Sequence, residues 1–293
     1  MKAATKLGVP ALAALAVTGT LVAVWPAAHH TDGTAAAPRS HAAGQEPVAK
    51  AQVGDPENPA TWKLPIEAYT ATKAEHRLVS SARDNVIKEC MSTAGFPGWS
   101  PAPDLPTVGG TTLTDWRYGI HDLEQARQFG YHPDPEQQDA YDVALAADQS
   151  GEADQGVLEG CASQAGSTAG NLQQSALVEQ ISGDAYHQSM DTPEVKSVFA
   201  KWSACMKDKG YTYSVPLDAS DDARFATGAD EISQAEKDTS VADVACRDKY
   251  HVEKVWFDAE AAIQTKSIAK RLGELNQEKA AVKSAVAKAR SVN

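Results

Sequence analysis

Two stretches decide how this chain is read: Glu89-Cys90-Met91-Ser92-Thr93-Ala94-Gly95-Phe96 and Ala204-Cys205-Met206-Lys207-Asp208-Lys209-Gly210-Tyr211. Both carry the pattern Cys-Met-x-x-x-Gly-(Phe or Tyr). Each ends a run of apolar residues: Val79, Ala82, Val86 and Cys90 in the first, and Val195, Val198, Phe199, Trp202 and Cys205 in the second. Steps of three and four put each Cys on the apolar face of an α-helix. The Gly then supplies the left-handed residue that stops the helix, and the aromatic after it packs back on the last turn. The repeat predicts two copies of one unit, each a helix with a Cys near its end, an excursion, and a second Cys.

Four Cys are present: Cys90, Cys161, Cys205 and Cys246. Four allow three connectivities. The repeat favours pairing within units, Cys90–Cys161 and Cys205–Cys246; pairing across the copies is the alternative. The within-unit bridges would close loops of about 70 and 40 residues, each worth about 4 kcal/mol in the chain-entropy picture. No Cys-x-x-Cys or Cys/His ligand spacing occurs, so no zinc site is expected. No other metal and no cofactor is expected either.

The fold class that follows is mainly α, with little β: a disulfide-stapled helical bundle of two similar units and a long C-terminal helix. The units cover about 65–170 and 171–250 within a helical body spanning 59–250. Helices are expected at about 67–94, 122–129, 135–146, 155–164, 172–190 and 192–209. Residues 97–114 form a Pro/Gly loop. Thr192-Pro193-Glu194 is a helix start, with a cap, a Pro at the first position and an acid beside the dipole. Tyr211–Val215 is the most strand-like segment and is expected to pair with the residues after Phe96. The chain from Ser233 to Ser291 reads as helix, its most probable break at Tyr250-His251.

Upstream of the body, Lys2 and Lys6 precede an uncharged stretch from Leu7 to Ala28. A positive n-region before an apolar h-region is an export signal. Residues 1–28 are expected to be a signal peptide or an uncleaved signal anchor. Cleavage would follow Ala27 or Ala28, although Trp25 and Pro26 make a poor cleavage site. No Cys stands near the end of the stretch, so a lipoprotein is not expected. Residues 29–58, rich in Ala, Gly, Pro and polar residues without hydrophobic period, read as a disordered tether. The expected location is outside the cell, secreted or held by the signal.

The 293 residues carry 27 Lys+Arg against 39 Asp+Glu, a net charge of −12. That sign argues against nucleic acid as a partner. Charge is uneven. Residues 101–160 hold twelve acids against Arg117 and Arg127, net −10, whereas the last 28 residues carry net +5. A helix over 251–293, basic after 266, would extend about 60 Å at 1.5 Å per residue. Trp256, Ala259 and Ile263 would dock it on the body. From Ile268 a second seam begins: Ile268, Leu272, Leu275, Lys279, Val282, Val286 and Ala289, a heptad spacing. This projecting end is a candidate partner helix, for self-association or for an envelope protein. Its basic face suits an anionic wall or membrane surface. A solvated tail is the competing reading.

One cluster on the first excursion could carry chemistry: Trp116, Arg117, Tyr118, His121, Tyr131 and His132. Such residues can line a ligand cleft, and they equally serve as aromatic anchors for a loop; the anchoring role is the expectation. Gly-x-Ser-x-Gly, His-Glu-x-x-His, P-loop and Gly-x-Gly-x-x-Gly motifs are absent. Function is therefore expected to be a non-catalytic binding or adaptor role, the alternative being a secreted enzyme of unrecognised type using the Trp116/His121/His132 region.

The order Cys90-Met91, Gly95-Phe96, Leu113-Thr114-Asp115-Trp116-Arg117-Tyr118-Gly119-Ile120, Ala126, Phe129-Gly130-Tyr131-His132 and Gly160-Cys161 resembles a family of exported actinobacterial proteins of unknown function, secreted or lipoprotein-like. The resemblance covers about residues 65–250. It implies location in the cell envelope and assigns no chemistry. This chain differs in lacking the lipid-acceptor Cys.

Overall fold

The computed structural model describes residues 47–147, 150–226 and 232–292. Ten α-helices and three short 3-10 turns account for most of them, and no strand occurs among the described residues. Residues 1–46, which include the signal and most of the tether read from the sequence, lie outside the described residues.

In the first unit, α1 (Lys73–Thr93) packs on α4 (Gln155–Thr168), and Cys90 bridges to Cys161 with a Cα–Cα distance of 5.6 Å. In the second, α6 (Pro193–Asp208) packs on α8 (Gln234–Tyr250), and Cys205 bridges to Cys246 at 5.8 Å. The within-unit connectivity holds, and all four Cys are paired. Two disulfides and no free thiol suit an oxidising compartment.

The repeat extends to single hydrogen bonds. The Phe96 N–H donates to Met91 O at 2.9 Å, and Gly95 N–H to Ser92 O at 3.2 Å. In the second copy Tyr211 N–H donates to Met206 O and Gly210 N–H to Lys207 O, both at 3.0 Å. These are the paired bonds of a Schellman ending. Both glycines sit at positive φ, +99° and +94°, where a side chain would be strained. Met91 and Met206 are completely buried, each beside the aromatic that follows its helix.

Helix starts follow their caps. Thr72 and Glu75 form a reciprocal capping box that opens α1. The expected start at 67 is therefore six residues early: Pro65–Tyr69 is a 3-10 turn that buries Ile66 and Tyr69. Thr192 caps α6 ahead of Pro193, and Ser233 caps α8. α5 (Ala176–Met190) starts at Ser175. The short helices α2 (Leu123–Phe129) and α3 (Pro135–Ala146) fall where expected. Tyr211–Val215 is not a strand and does not pair with the residues after Phe96. It leads into α7 (Pro216–Ser220), the Ser203 hydroxyl donating to Tyr213 O at 2.6 Å.

The tether reading ends too late. Gln52 and Lys63 exchange backbone hydrogen bonds of 3.0 and 2.8 Å, and the Trp62 indole donates to Asp55 O at 2.7 Å. Val48, Ala49 and Ala51 pack against the main core. Residues 48–58 thus belong to the body.

The C-terminal segment is helical but not one rod. α9 (Val252–Lys270) follows α8 through His251, a non-glycine at φ +52°. A second break at Arg271 separates α9 from α10 (Leu272–Val292). Past that break the seam turns back on the molecule. Ile268 and Leu275 are fully buried in the main core, with Leu272 packed against it; Val286 and Ala289 lie against Val79 and Ala82 of α1, flanked by Val282. The seam expected to reach for a partner is occupied by the chain's own body. Apolar side chains that complete an available core gain about 25 cal/mol per Å² buried, which favours folding back over projection.

The main core joins Trp62, Leu64 and Ile66 to α5, α6, α8 and α9 around Trp202, Trp256 and Phe257. The first disulfide sits in a smaller cluster of Ile87, Met91, Trp99, Cys161 and Ala165.

Candidate functional site

The six residues of the aromatic–histidine cluster do not meet around one ligand space; they divide among several partners, Arg117 and Tyr118 sharing Glu260. Arg117 makes a two-pronged pair with Glu260 of α9, Nη2 to Oε1 at 2.7 Å and Nε to Oε2 at 2.9 Å, and its Nη2 also donates to Ser182 O at 3.1 Å. Its guanidinium lies 4.8 Å over the Tyr186 ring. The Tyr118 hydroxyl donates to Glu260 Oε2 at 2.9 Å. Burial, reinforced by that carboxylate, drives the Tyr118 hydroxyl far above its ordinary range. Gln264 completes the set, donating to Glu260 Oε1 at 2.8 Å while accepting from Ile66 N–H at 3.1 Å. One buried carboxylate thus ties the first excursion, α9 and the entry segment together.

A second joint lies on α8. Asp243 Oδ1 accepts from Trp202 Nε1 at 2.8 Å and from Arg247 Nε at 2.6 Å, and Oδ2 accepts from the Tyr131 hydroxyl at 3.2 Å. Arg247, wholly buried, also donates to Tyr118 O. A Cβ on Gly119 would collide with the Arg247 guanidinium, so this joint requires glycine at that position. Tyr131 N–H donates to Glu236 Oε1 at 3.0 Å, and the Ser240 hydroxyl donates to Ala126 O at 3.0 Å. The first unit's excursion is therefore docked on the second unit's helix.

The remaining members are anchors too. His121 Nε2 lies 2.8 Å from Asp115 Oδ1, and Asp115 Oδ2 holds the Thr111 hydroxyl at 2.7 Å. Among the described residues no hydroxyl or thiol hydrogen-bonds to His121. His132 Nε2 faces Phe225 O at 3.1 Å. Trp116 packs beside Ile120, Ala126 and Val244 and covers Gly109. The cluster is not one cleft, and the structure assigns its residues to holding the excursion down. No group of three or more metal-ligating side chains occurs among the described residues, and no helix among them is long and apolar enough to cross a membrane.

A cleft of about 1300 Å³ opens elsewhere. Its walls come from the entry segment between Ala49 and His76, the excursion loop between Thr107 and Leu113, the residues leading into α5 and its first two turns, and Glu278 and Val282 of α10. Leu64, Ile66 and Val178 form an apolar floor, and Gln52, Gln173 and Gln174 supply polar wall. Ser182 and Glu67 connect it to the Arg117–Glu260 joint: Ser182 O accepts from Arg117, and burial raises the Glu67 carboxyl above its ordinary range while Leu64 N–H holds it at 2.7 Å. No protein-family model, curated protein or solved structure matches this chain. The site is therefore argued from its geometry alone. Of the residues singled out from sequence, Leu113 and Val282 line the cleft, and none of the aromatic–histidine cluster does. Its walls come from five distant segments, and no local spacing marks them.

Glu253 gives the body a pH dependence. It is 5% exposed, its Oε1 has no hydrogen-bond donor, and Arg247 Nη1 stands 3.9 Å away. Burial pushes its carboxyl up to about 7 from the ordinary 4.5, with Asp243 and Asp248 adding to the rise and Arg247 opposing it. The folded state then holds a proton that the unfolded chain has released. Stability from this group is complete below the unfolded pKa and falls as pH rises through the folded one, by about 3 kcal/mol in all. Urea midpoints at about pH 5 and about pH 8 should show the loss, and Glu253→Gln should remove most of it. Equal slopes in the two proteins would refute the assignment.

Proposed function

We propose that this is an exported cell-envelope protein that acts as a non-catalytic binding module through the cleft. The observation that carries the reading is the cleft itself: an apolar floor walled by hydrogen-bonding side chains and tied through Ser182 to the buried Arg117–Glu260 joint. The positive, then apolar N-terminus and the two disulfides support export. The chain is released or held by its signal, and its partner is an envelope component. The enzyme alternative has no observation in its favour, because His121 and His132 are engaged as anchors.

A photo-crosslinking residue placed at Gln173 in intact cells should give a discrete adduct, and the same residue at Gln128 on α2 should give none. Adducts of equal yield at both positions, or at neither, would remove the reading.

A further inference from the structure

We propose that the cleft binds an extended peptide segment bearing a carboxylate, held by side-chain amides and by Lys50 and Lys63; this rests on the binding-module reading. Gln52, Gln173 and Gln174 all line the cleft, and none of their amides has a partner among the described residues. A primary amide offers two donors and one acceptor, the complement of the C=O and N–H that each residue of an extended peptide presents. The floor of Leu64, Ile66 and Val178 can take apolar side chains from one side of such a segment, whose side chains alternate.

Two lysines of the entry segment line the cleft. Gln52 and Lys63 face each other across an antiparallel bridge. Lys50, two residues from Gln52, lines the same cleft. Neither ammonium has a hydrogen-bonded partner, whereas Lys73, also in the lining, donates to Thr107. Of the acids in the lining, Glu179 and Glu278 stand on α5 and α10, and Glu67 lies on the lysine side, within electrostatic reach of Lys63. Two ammonium groups without a hydrogen-bonded partner among the described residues, Lys50 with no carboxylate paired to it there and Lys63 near Glu67, suit a further carboxylate, from a side chain or a chain end. A glycan fits less well. Tyr69 is the sole Phe, Tyr or Trp in the lining, and Lys279 Nζ lies 5.9 Å over its ring, so no open aromatic face is presented to a sugar.

The test is binding of the full chain to an array of short random-sequence peptides, with chitin oligosaccharides on the same surface. Bound peptides should be enriched in Asp and Glu or depend on a free C-terminal carboxylate. Lys50→Glu with Lys63→Glu should abolish that preference. Gln173→Leu with Gln174→Leu should weaken binding of every retained peptide about tenfold. All four positions are surface residues, and circular dichroism checks that each variant is folded. Binding that ignores carboxylates, or that both double variants leave intact, overturns the proposal. Retention of the oligosaccharides without peptides overturns it too and leaves the binding-module reading standing. Retention of neither, together with no adduct from Gln173 in cells, overturns both.

Discussion

Replacing Asp243 by alanine should cost the fold about 4 kcal/mol, the range for breaking a buried ion pair by removing one partner. The carboxylate holds Trp202, Arg247 and Tyr131 at once, and Trp202 and Arg247 are fully buried. Without it, Arg247 is left with Glu253 at 3.9 Å, a carboxyl that burial biases toward its neutral form. The indole N–H and the phenol also lose their acceptor, at about 1–3 kcal/mol for a stranded buried group. Urea unfolding should show a lower midpoint at unchanged slope. The second substitution Arg247→Met, made in the Asp243→Ala background, should recover part of the loss, because it removes the stranded charge. A loss under about 1 kcal/mol, or no recovery in the double variant, would mean that the joint between excursion and α8 does not hold the units together.

Removing the bridges should have effects of similar size but different character. Chain entropy makes each worth about 4 kcal/mol, since the separations of 71 and 41 residues enter only as logarithms. Cys205 and Cys246 lie in the main core among Trp202, Phe199 and Trp256. Replacing both with alanine should lower global stability while leaving one cooperative transition. Cys90 and Cys161 sit in a separate, smaller cluster formed mainly by α1 and α4. Replacing that pair should let α4 open locally before the body unfolds, so amides of residues 155–168 should lose hydrogen-exchange protection first. Identical exchange patterns in the two variants would count against this division.

The parts legible in the sequence are those set by local chemistry. The Cys-Met-x-x-x-Gly-aromatic endings predict the two Schellman motifs and, through them, the pairing of all four Cys. Thr192-Pro193 marks the α6 start, whereas the need for glycine at Gly119 is set by Arg247, 128 positions away in the chain, and shows only in the fold. What was hidden had polar residues on buried faces. The α9 face toward the core runs through Glu253, Trp256, Phe257, Glu260, Gln264 and Ile268. Glu260 and Gln264 interrupt its apolar stripe, so the spacing of Trp256, Ala259 and Ile263 points to a face rotated from the true one. The same spacing of acids and amide at three and four was the available signal for a buried polar joint. The Arg271 break was hidden for another reason: a heptad seam describes a helix that wants a partner surface, and it does not say whether that surface is another chain or α1. The cleft was not legible at all, because its walls meet only through tertiary packing.

The central claim is that the body is built from two copies of one disulfide-stapled unit. Peptide mapping of the protein taken from cells, with thiols blocked at lysis and no reductant, tests it most directly. The account predicts cross-linked peptides joining Cys90 to Cys161 and Cys205 to Cys246 and no blocked thiol. A Cys90–Cys205 peptide, or four blocked thiols, would contradict it.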